Sequence, residues 1–225
     1  MNLPSGTAPN FLHVVEVIES PSAEDVLEDR REGYALVSGL RLAQIPVRYF
    51  PVSNRQTLRQ SIEIIAGAPA SRHHILEPEF SERGLVGGRV ADHTIFVSSV
   101  HLSAHGNEQG IGLTDGALVS WEELAEILDG LNKTKGYMGE EKKRGMTSLS
   151  LSCCKGLYAR QMLGDDKPWP VFAIIGSEEN IAWSDALTAW LTFYHLFITK
   201  GLKVDVAIER MNIASGHEKL FQIHK

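Results

Sequence analysis

Short apolar segments of strand length alternate along the chain with segments whose apolar positions recur at helical spacing. Strands are predicted at residues 11–18, 45–52, 94–102, 147–152 and 170–176. Helical segments follow the strands, beginning after Ser22, Asn54, Ser120 and Cys154 and continuing through residues 182–199 and 204–214. The order of elements is therefore a repeated strand and helix.

Strands that alternate with helices predict an α/β fold with a mostly parallel central sheet and helices on both faces. Residues 114–116, Thr-Asp-Gly, indicate a small hairpin, and residues 68–92 form a long connection without a sustained period. Ser120 and Glu123 form a capping box at the start of the following helix. At 225 residues, the chain is expected to form one domain over residues 1–225.

Composition and charge narrow the class of protein. The 22 basic and 28 acidic side chains give a net charge of −6, which disfavours a nucleic-acid partner. The first ten residues lack the features of a secretion signal, and no apolar run is long enough for a membrane span, so a cytoplasmic protein without a membrane partner is expected. The two cysteines, Cys153 and Cys154, are adjacent in sequence, which argues for reduced thiols rather than a structural disulfide.

His105 follows the strand at 94–102, and Cys154 follows the strand at 147–152. Because ligand sites in parallel sheets lie at the carboxyl ends of the strands, these two side chains are expected to meet there. An imidazole and the N-terminus of a helix starting near Lys155 would favour a nucleophilic thiolate at Cys154. The backbone N–H groups of Gly106 and Cys154 are candidates for an oxyanion hole.

The segment SLSCCKG resembles the caspase nucleophile motif Gln-Ala-Cys-Arg-Gly, with Cys154 at the nucleophile and Gly156 at the glycine. His105 lies 49 residues upstream of Cys154, and the caspase spacing is about 50. The chain is more closely similar to bacterial CHAT-type domains. That resemblance rests on HLSAHG, Asp115-Gly116, LSLSCCKG, Ser184-Asp185, Phe193-Tyr194, Lys200-Gly201 and Val206-Ala207.

The resemblance implies the three-layer caspase/haemoglobinase-like fold of caspases, gingipains and separase. It also implies a cysteine endopeptidase that cleaves a protein or peptide substrate with a Cys-His dyad and without metal or other cofactor. By analogy, a regulatory protein or a small-molecule activator would control the enzyme, and bacterial stress or antiphage defence is a plausible setting. Ser152 stands where caspases have glutamine, so caspase-like aspartate specificity does not carry over.

Several alternatives stay open. A one-residue slip would make Cys153 the nucleophile. Glu178, Glu179 and Trp183 follow the fifth strand and would recognise a substrate side chain, or the two glutamates would instead cap the next helix. His101 and His105 have a spacing that chelates zinc on a helix but not across a strand end, so no metal site is expected.

The charged run EEKKR at Glu140–Arg144 indicates a solvated loop, or a segment that orders or is cleaved on activation. Two rival functions also fit the motif. One is a catalytically inactive caspase-like scaffold or ligand-responsive binding module, and the other is a different cysteine acyl hydrolase, such as an amidase.

Overall fold

The computed structural model describes residues 10–67, 94–133, 147–162 and 169–225. The strands are β1 (Asn10–Ser20), β2 (Val47–Pro51), β3 (Thr94–Asn107), β4 (Gly110–Gly112), β5 (Leu118–Ser120), β6 (Ser148–Ser152), β7 (Ala173–Gly176) and β8 (Gln222–His224). The α-helices are α1 (Ala23–Leu27), α2 (Glu32–Leu42), α3 (Arg55–Gly67), α4 (Trp121–Leu128), α5 (Gly130–Lys133), α6 (Trp183–Tyr194) and α7 (Val204–Ala214). A 3₁₀ helix spans Gly156–Met162, and a π-helical turn spans His195–Thr199.

The central sheet has the strand order β2-β1-β3-β6-β7-β8. Its first five strands are mutually parallel, and β8 pairs antiparallel with β7 at one edge. The hairpin of β4 and β5 extends the end of β3 through antiparallel pairing. The expected mostly parallel sheet is confirmed, and the turn of the hairpin falls at Gly116, whose φ of +84° suits glycine.

Two apolar cores cover the two faces of the sheet. One contains residues of α3, α4 and the 3₁₀ helix, such as Leu58, Leu124 and Leu157. The other contains residues of α2, α6 and α7, such as Leu36 and Trp190. Helices therefore lie on both faces, which confirms the three-layer α/β architecture expected from the alternation of elements.

The helical segment after Ser22 is two helices rather than the single long helix that the sequence predicted. Asp29 adopts a left-handed φ of +54°, and its N–H and that of Arg30 bond back to the carbonyls of Val26 and Asp25. This pattern is a Schellman motif, which ends α1 after five residues. Residues 28–33, EDRREG, contain no apolar side chain, and the predicted single helix ran through this gap.

Four other elements differ from prediction. β3 continues to Asn107 because β4 pairs with its end, so His105 lies within the strand rather than after it. The segment after Cys154 is a 3₁₀ helix rather than an α-helix, and the predicted helix at 182–199 changes to a π-helical turn at His195. β8, which was not predicted, completes the sheet.

No helix in the described ranges is long and apolar enough to cross a membrane. The long connection at 68–92 and the charged run at 140–144 lie outside the described residues.

Candidate active site

Strand register brings the predicted histidine and cysteine to the same end of the sheet. Ser103 of β3 pairs with Ser152 of β6, and His105 and Cys154 each lie two residues further along. Side chains alternate along a strand, so His105 projects toward the face that carries α2 and α6, and Cys154 lies in the turn that follows β6. His105 and Cys154 line one cavity of about 80 Å³, as the sequence predicted for neighbouring strand ends.

His105 has a carboxylate partner that sequence reasoning missed. Its Nε2 lies 2.7 Å from Oδ2 of Asp25, in α1. The Asp25 side chain is 3% exposed, whereas that of His105 is 54% exposed and faces the cavity. The buried carboxylate thus fixes one ring nitrogen of a histidine that is otherwise accessible.

Ser22 holds Asp25 in the ionised, hydrogen-bond-accepting state. The backbone N–H and the hydroxyl of Ser22 donate to Asp25 Oδ2 at 3.1 and 2.6 Å, while Ser22 Oγ accepts from the Asp25 N–H. Burial raises the pKa of Asp25, but the hydrogen bonds from Ser22 and His105 outweigh it and keep the pKa below the ordinary value. An ionised carboxylate only accepts hydrogen bonds, so His105 Nε2 carries the proton of this contact.

The hairpin turn anchors the loop that leads to Asp25. Thr114 Oγ1 donates to the carbonyl of Pro21 at 2.6 Å, and the Thr114 N–H donates to Ser20 Oγ at 3.0 Å. Pro21 and Ser22 then start α1, whose first turn carries Asp25. The short helix is therefore tied to the same hairpin that extends the His105 strand.

Cys154 receives its hydrogen bond from a loop and not from the expected helix terminus. The Ile181 N–H lies 3.3 Å from Cys154 Sγ. The N–H groups of Lys155, Gly156 and Leu157 instead bond the carbonyls of Glu179, Cys153 and Ser177. The prediction that a helix N-terminus would face the sulfur was wrong, because neighbouring carbonyls already occupy those donors.

Close backbone packing explains the two glycines beside the candidate pair. A Cβ atom on Gly106 would lie 2.5 Å from the Cys154 carbonyl oxygen, and one on Gly156 would lie 2.9 Å from Leu151 Cβ. Lys155 between them has a left-handed φ of +59°, which turns the chain sharply after Cys154. The glycines allow β3 and the cysteine turn to approach each other.

The two adjacent thiols have different surroundings. Both line the cavity, but Cys153 is 2% exposed and packs in the core beside Leu151, whereas Cys154 is half-buried. Burial, and secondarily the charge of Cys154, raises the pKa of Cys153 far above that of a free thiol. A thiol in that environment stays protonated and unreactive at neutral pH.

The other predicted site residues fall into two groups. Ser152 and Trp183 line the cavity, and the Trp183 ring lies edge-on to the His105 ring with centroids 5.4 Å apart. Glu178 instead forms an ion pair with Arg160, and Glu179 is exposed and contributes its backbone carbonyl to Lys155. Neither glutamate lines the cavity or caps α6 with its side chain.

His101 is the second histidine of the possible zinc-binding spacing, and its environment differs from that of His105. It is fully buried, its Nδ1 lies 3.1 Å from the Tyr194 hydroxyl, and its Nε2 lies 3.8 Å from Glu32 Oε2. The described residues contain no group of three or more histidine, cysteine, aspartate or glutamate side chains that could hold a metal ion.

No protein-family model matches the chain. No curated protein matches it in sequence either. Solved structures that are similar to it include the following two. The Arg-specific cysteine proteinase gingipain R (RgpB) is 10% identical over 90% of this chain, with a TM-score of 0.49. A complex of the Porphyromonas gingivalis RgpB pro- and mature domains is 10% identical over 94% of this chain, with a TM-score of 0.46. The chain spans 41% and 46% of those two chains.

Proposed function

We propose that this chain forms one catalytic domain of a cysteine endopeptidase, with Cys154 as nucleophile, His105 as general base and acid, and Asp25 as the residue that orients His105. The observation that carries the proposal is the placement of His105 and Cys154 on one cavity, with a buried carboxylate behind the histidine. The site thus has a nucleophile, a base and an orienting group.

The hydrogen bond from Nε2 to Asp25 leaves His105 Nδ1 to exchange a proton with the thiol. Nδ1 accepts the Cys154 proton, and Sγ attacks the carbonyl carbon of the scissile peptide bond. The protonated His105 then gives its proton to the leaving amine as the C–N bond breaks, and a thioester remains on Cys154. Water, deprotonated by His105, hydrolyses the thioester and returns both residues to their starting states.

Four surrounding groups stabilise the charges that develop. The Ile181 N–H donates to the sulfur, and the Asp25 carboxylate stabilises the imidazolium. The N–H groups of Gly106 and Cys154 are proposed to bind the oxyanion of the tetrahedral intermediate. The close approach of Gly106 to the cysteine turn brings these two backbone segments together.

Cys154 rather than Cys153 is assigned as the nucleophile because only Cys154 is both accessible and on the face that His105 occupies. Glu178 and Glu179 are assigned no substrate contact, because Glu178 is paired with Arg160 and neither glutamate lines the cavity. An open polar hollow of about 370 Å³ continues from Gly106 past Asn107 and Lys155, and it offers a surface for the extended chain of an endopeptidase substrate.

The resemblance to CHAT-type domains supports a protein substrate and a regulated activity in a bacterial stress or defence response. The regulator would be another protein or a small molecule. The setting is proposed to be the cytoplasm, where both thiols stay reduced.

Selective alkylation tests the proposal. Iodoacetamide at neutral pH, followed by peptide mapping, is expected to modify Cys154 and spare Cys153, and His105→Ala is expected to slow the modification at least tenfold. His217→Ala is the matched control, because His217 Nε2 also contacts an aspartate, Asp185, at 3.1 Å on the surface. Equal labelling rates in all three proteins would indicate an inactive scaffold.

Peptide hydrolysis distinguishes the peptidase from an amidase that uses the same groups. A mixture of unstructured protein substrates is incubated with the parent and with Cys154→Ala, and new N-termini are identified by mass spectrometry. Internal cleavages that depend on Cys154 are expected. His105-dependent labelling without such cleavages would favour the other acyl hydrolase.

A further inference from the structure

One residue that lines the cavity beside Cys154 has an unpaired polar atom. Ser152 is 1% exposed, and its buried Oγ has no hydrogen-bond partner among the described residues. A buried hydroxyl is normally hydrogen-bonded, because its removal from water is otherwise unfavourable. Since Ser152 also lines the cavity, a group that enters the cavity can supply the missing bond.

The size and lining of the cavity restrict what enters it. A cavity of this kind needs roughly 10–15 Å³ to hold one water molecule, so the volume of about 80 Å³ accommodates a short side chain of a few non-hydrogen atoms. Ala104 and Ala186 contribute methyl groups, and Ile181 and Trp183 contribute larger apolar surfaces. Among the described residues that line it, His105 is the only one with a titratable side chain besides the two cysteines.

We propose that this cavity is the specificity pocket for the residue whose carbonyl Cys154 attacks, and that it selects a small, uncharged side chain with a hydroxyl or amide group. Serine, threonine and asparagine are the natural candidates. Ser152 Oγ is the hydrogen-bond partner of the substrate side chain, and the methyl group of Ala186 limits the depth of the pocket. The inference rests on the proposed peptidase function.

Other side-chain classes fit this pocket less well. An arginine or lysine side chain would be buried without an opposite charge, since no lining residue in the described ranges carries a carboxylate. An aspartate side chain would meet one lining side chain that can carry a positive charge, His105, which the proposed mechanism needs for proton transfer. A long or aromatic side chain exceeds the volume. An alanine side chain fits but leaves the Ser152 hydroxyl unpaired, and sites built to bond a substrate hydroxyl discriminate against analogues that lack it.

A fluorogenic peptide library that varies only the residue before the cleaved bond tests the proposal. The parent enzyme is expected to prefer serine, threonine and asparagine. Ser152→Ala is expected to lower kcat/KM for these substrates by about tenfold while leaving alanine substrates unchanged or improved. Ala186→Leu fills the pocket, so this variant is expected to cleave only substrates with glycine before the cleaved bond.

Ser103→Ala is the matched control. Ser103 pairs with Ser152 across the two strands and is equally buried, but it does not line the cavity, so the substrate preference should stay as in the parent. Iodoacetamide labelling of Cys154 in every variant shows whether the catalytic groups remain intact.

The outcomes separate the pocket from the peptidase function. Cys154-dependent hydrolysis with a preference for charged or aromatic residues would contradict the proposed specificity pocket but not the peptidase function. A Ser152→Ala variant that keeps the substrate preference of the parent would have the same meaning. Absence of both hydrolysis and His105-dependent labelling would overturn the peptidase and, with it, the pocket.

Discussion

The two faces of β3 and β6 differ in chemistry although the same two strands supply both. Toward α3 and α4 these strands present aliphatic side chains, which are Val100, Leu102, Leu149 and Leu151. Toward α2 and α6 they present buried polar side chains, which are His101, Ser103, Ser150 and Ser152. Continued past the last paired residues, the aliphatic face ends in Cys153 and the polar face ends in Cys154 and His105.

The comparison shows how strand alternation assigns different roles to neighbouring cysteines. The aliphatic face excludes water and keeps the Cys153 thiol protonated. The polar face opens into the cavity, where a histidine with a carboxylate partner is available. One residue along the chain separates a packing role from the proposed catalytic role.

The largest predicted effect contrasts the two thiols. Cys154→Ala is expected to lower kcat/KM by about 10³-fold or more, because Cys153, the other thiol that lines the cavity, is almost fully buried and stays protonated. Cys153→Ala is expected to keep kcat/KM within about threefold while lowering the free energy of unfolding by roughly 1 kcal/mol through lost packing. Peptide hydrolysis and urea denaturation measure the two effects. An inactive Cys153→Ala that is folded and an active Cys154→Ala would reverse the assignment.

Asp25 comes next in expected effect. Asp25→Asn is expected to lower kcat/KM by about 10²–10³-fold, because an amide can donate to Nε2 and so stabilise the wrong tautomer of His105. Asp185→Asn, in the surface pair with His217, is the control and should leave kcat/KM at the parent value. The pH dependence of kcat/KM distinguishes positioning from loss of folding, since a misfolded variant would lose activity equally at every pH. If Asp25→Asn matched Asp185→Asn, Asp25 would have no part in catalysis.

Two adjacent residues of β6 allow the contributions of the two faces to the stability of the fold to be compared. Leu151→Ala removes a fully buried aliphatic side chain and is expected to lower the free energy of unfolding by about 3 kcal/mol. Ser150→Ala removes the hydrogen bond with the Tyr194 hydroxyl and is expected to lower it by about 1 kcal/mol. Urea denaturation of both variants measures the difference. Equal losses would show that the polar face contributes to stability as much as the aliphatic one.

Acidification gives the smallest expected effect. The pKa of Asp25 lies below the ordinary value of 3.8, so ionised Asp25 stabilises the native state above about pH 4, and this contribution is lost as the pH falls through the depressed pKa. The difference in unfolding free energy between the parent and Asp25→Asn is therefore expected to shrink between pH 7 and pH 3. Asp185→Asn provides the reference. A difference that stays constant with pH would contradict the ionised state of Asp25.

The site was only partly predictable from the sequence. Strand lengths and alternation placed His105 and Cys154 at neighbouring strand ends, because the aliphatic runs before them indicate buried parallel strands. Asp25 was missed, since it lies 80 residues before His105 in a segment interpreted as one long helix. The pattern Ser22-x-x-Asp25 directly after a strand was a usable signal, because it is a capping sequence that starts a helix at the carboxyl end of β1.

Other parts of the site had no signal in local sequence. The Ile181 N–H that reaches Cys154 Sγ is a backbone group, so residue type does not reveal it. The 3₁₀ helix after Cys154 also depends on distant carbonyls, at Ser177 and Glu179, that take its first N–H groups. These contacts exist only once β7 and its following loop lie beside β6.

The sequence by itself determined the alternation of strands and helices, the placement of His105 and Cys154 near the ends of two strands, and the glycines beside the proposed nucleophile. These follow from local periodicity and from steric needs within a few residues. Only the tertiary structure decided which carboxylate orients His105, which donor reaches Cys154, and what closes the cavity around Ser152. Those choices depend on the order of strands in the sheet, which brings groups from β1, β3, β6 and β7 to one edge.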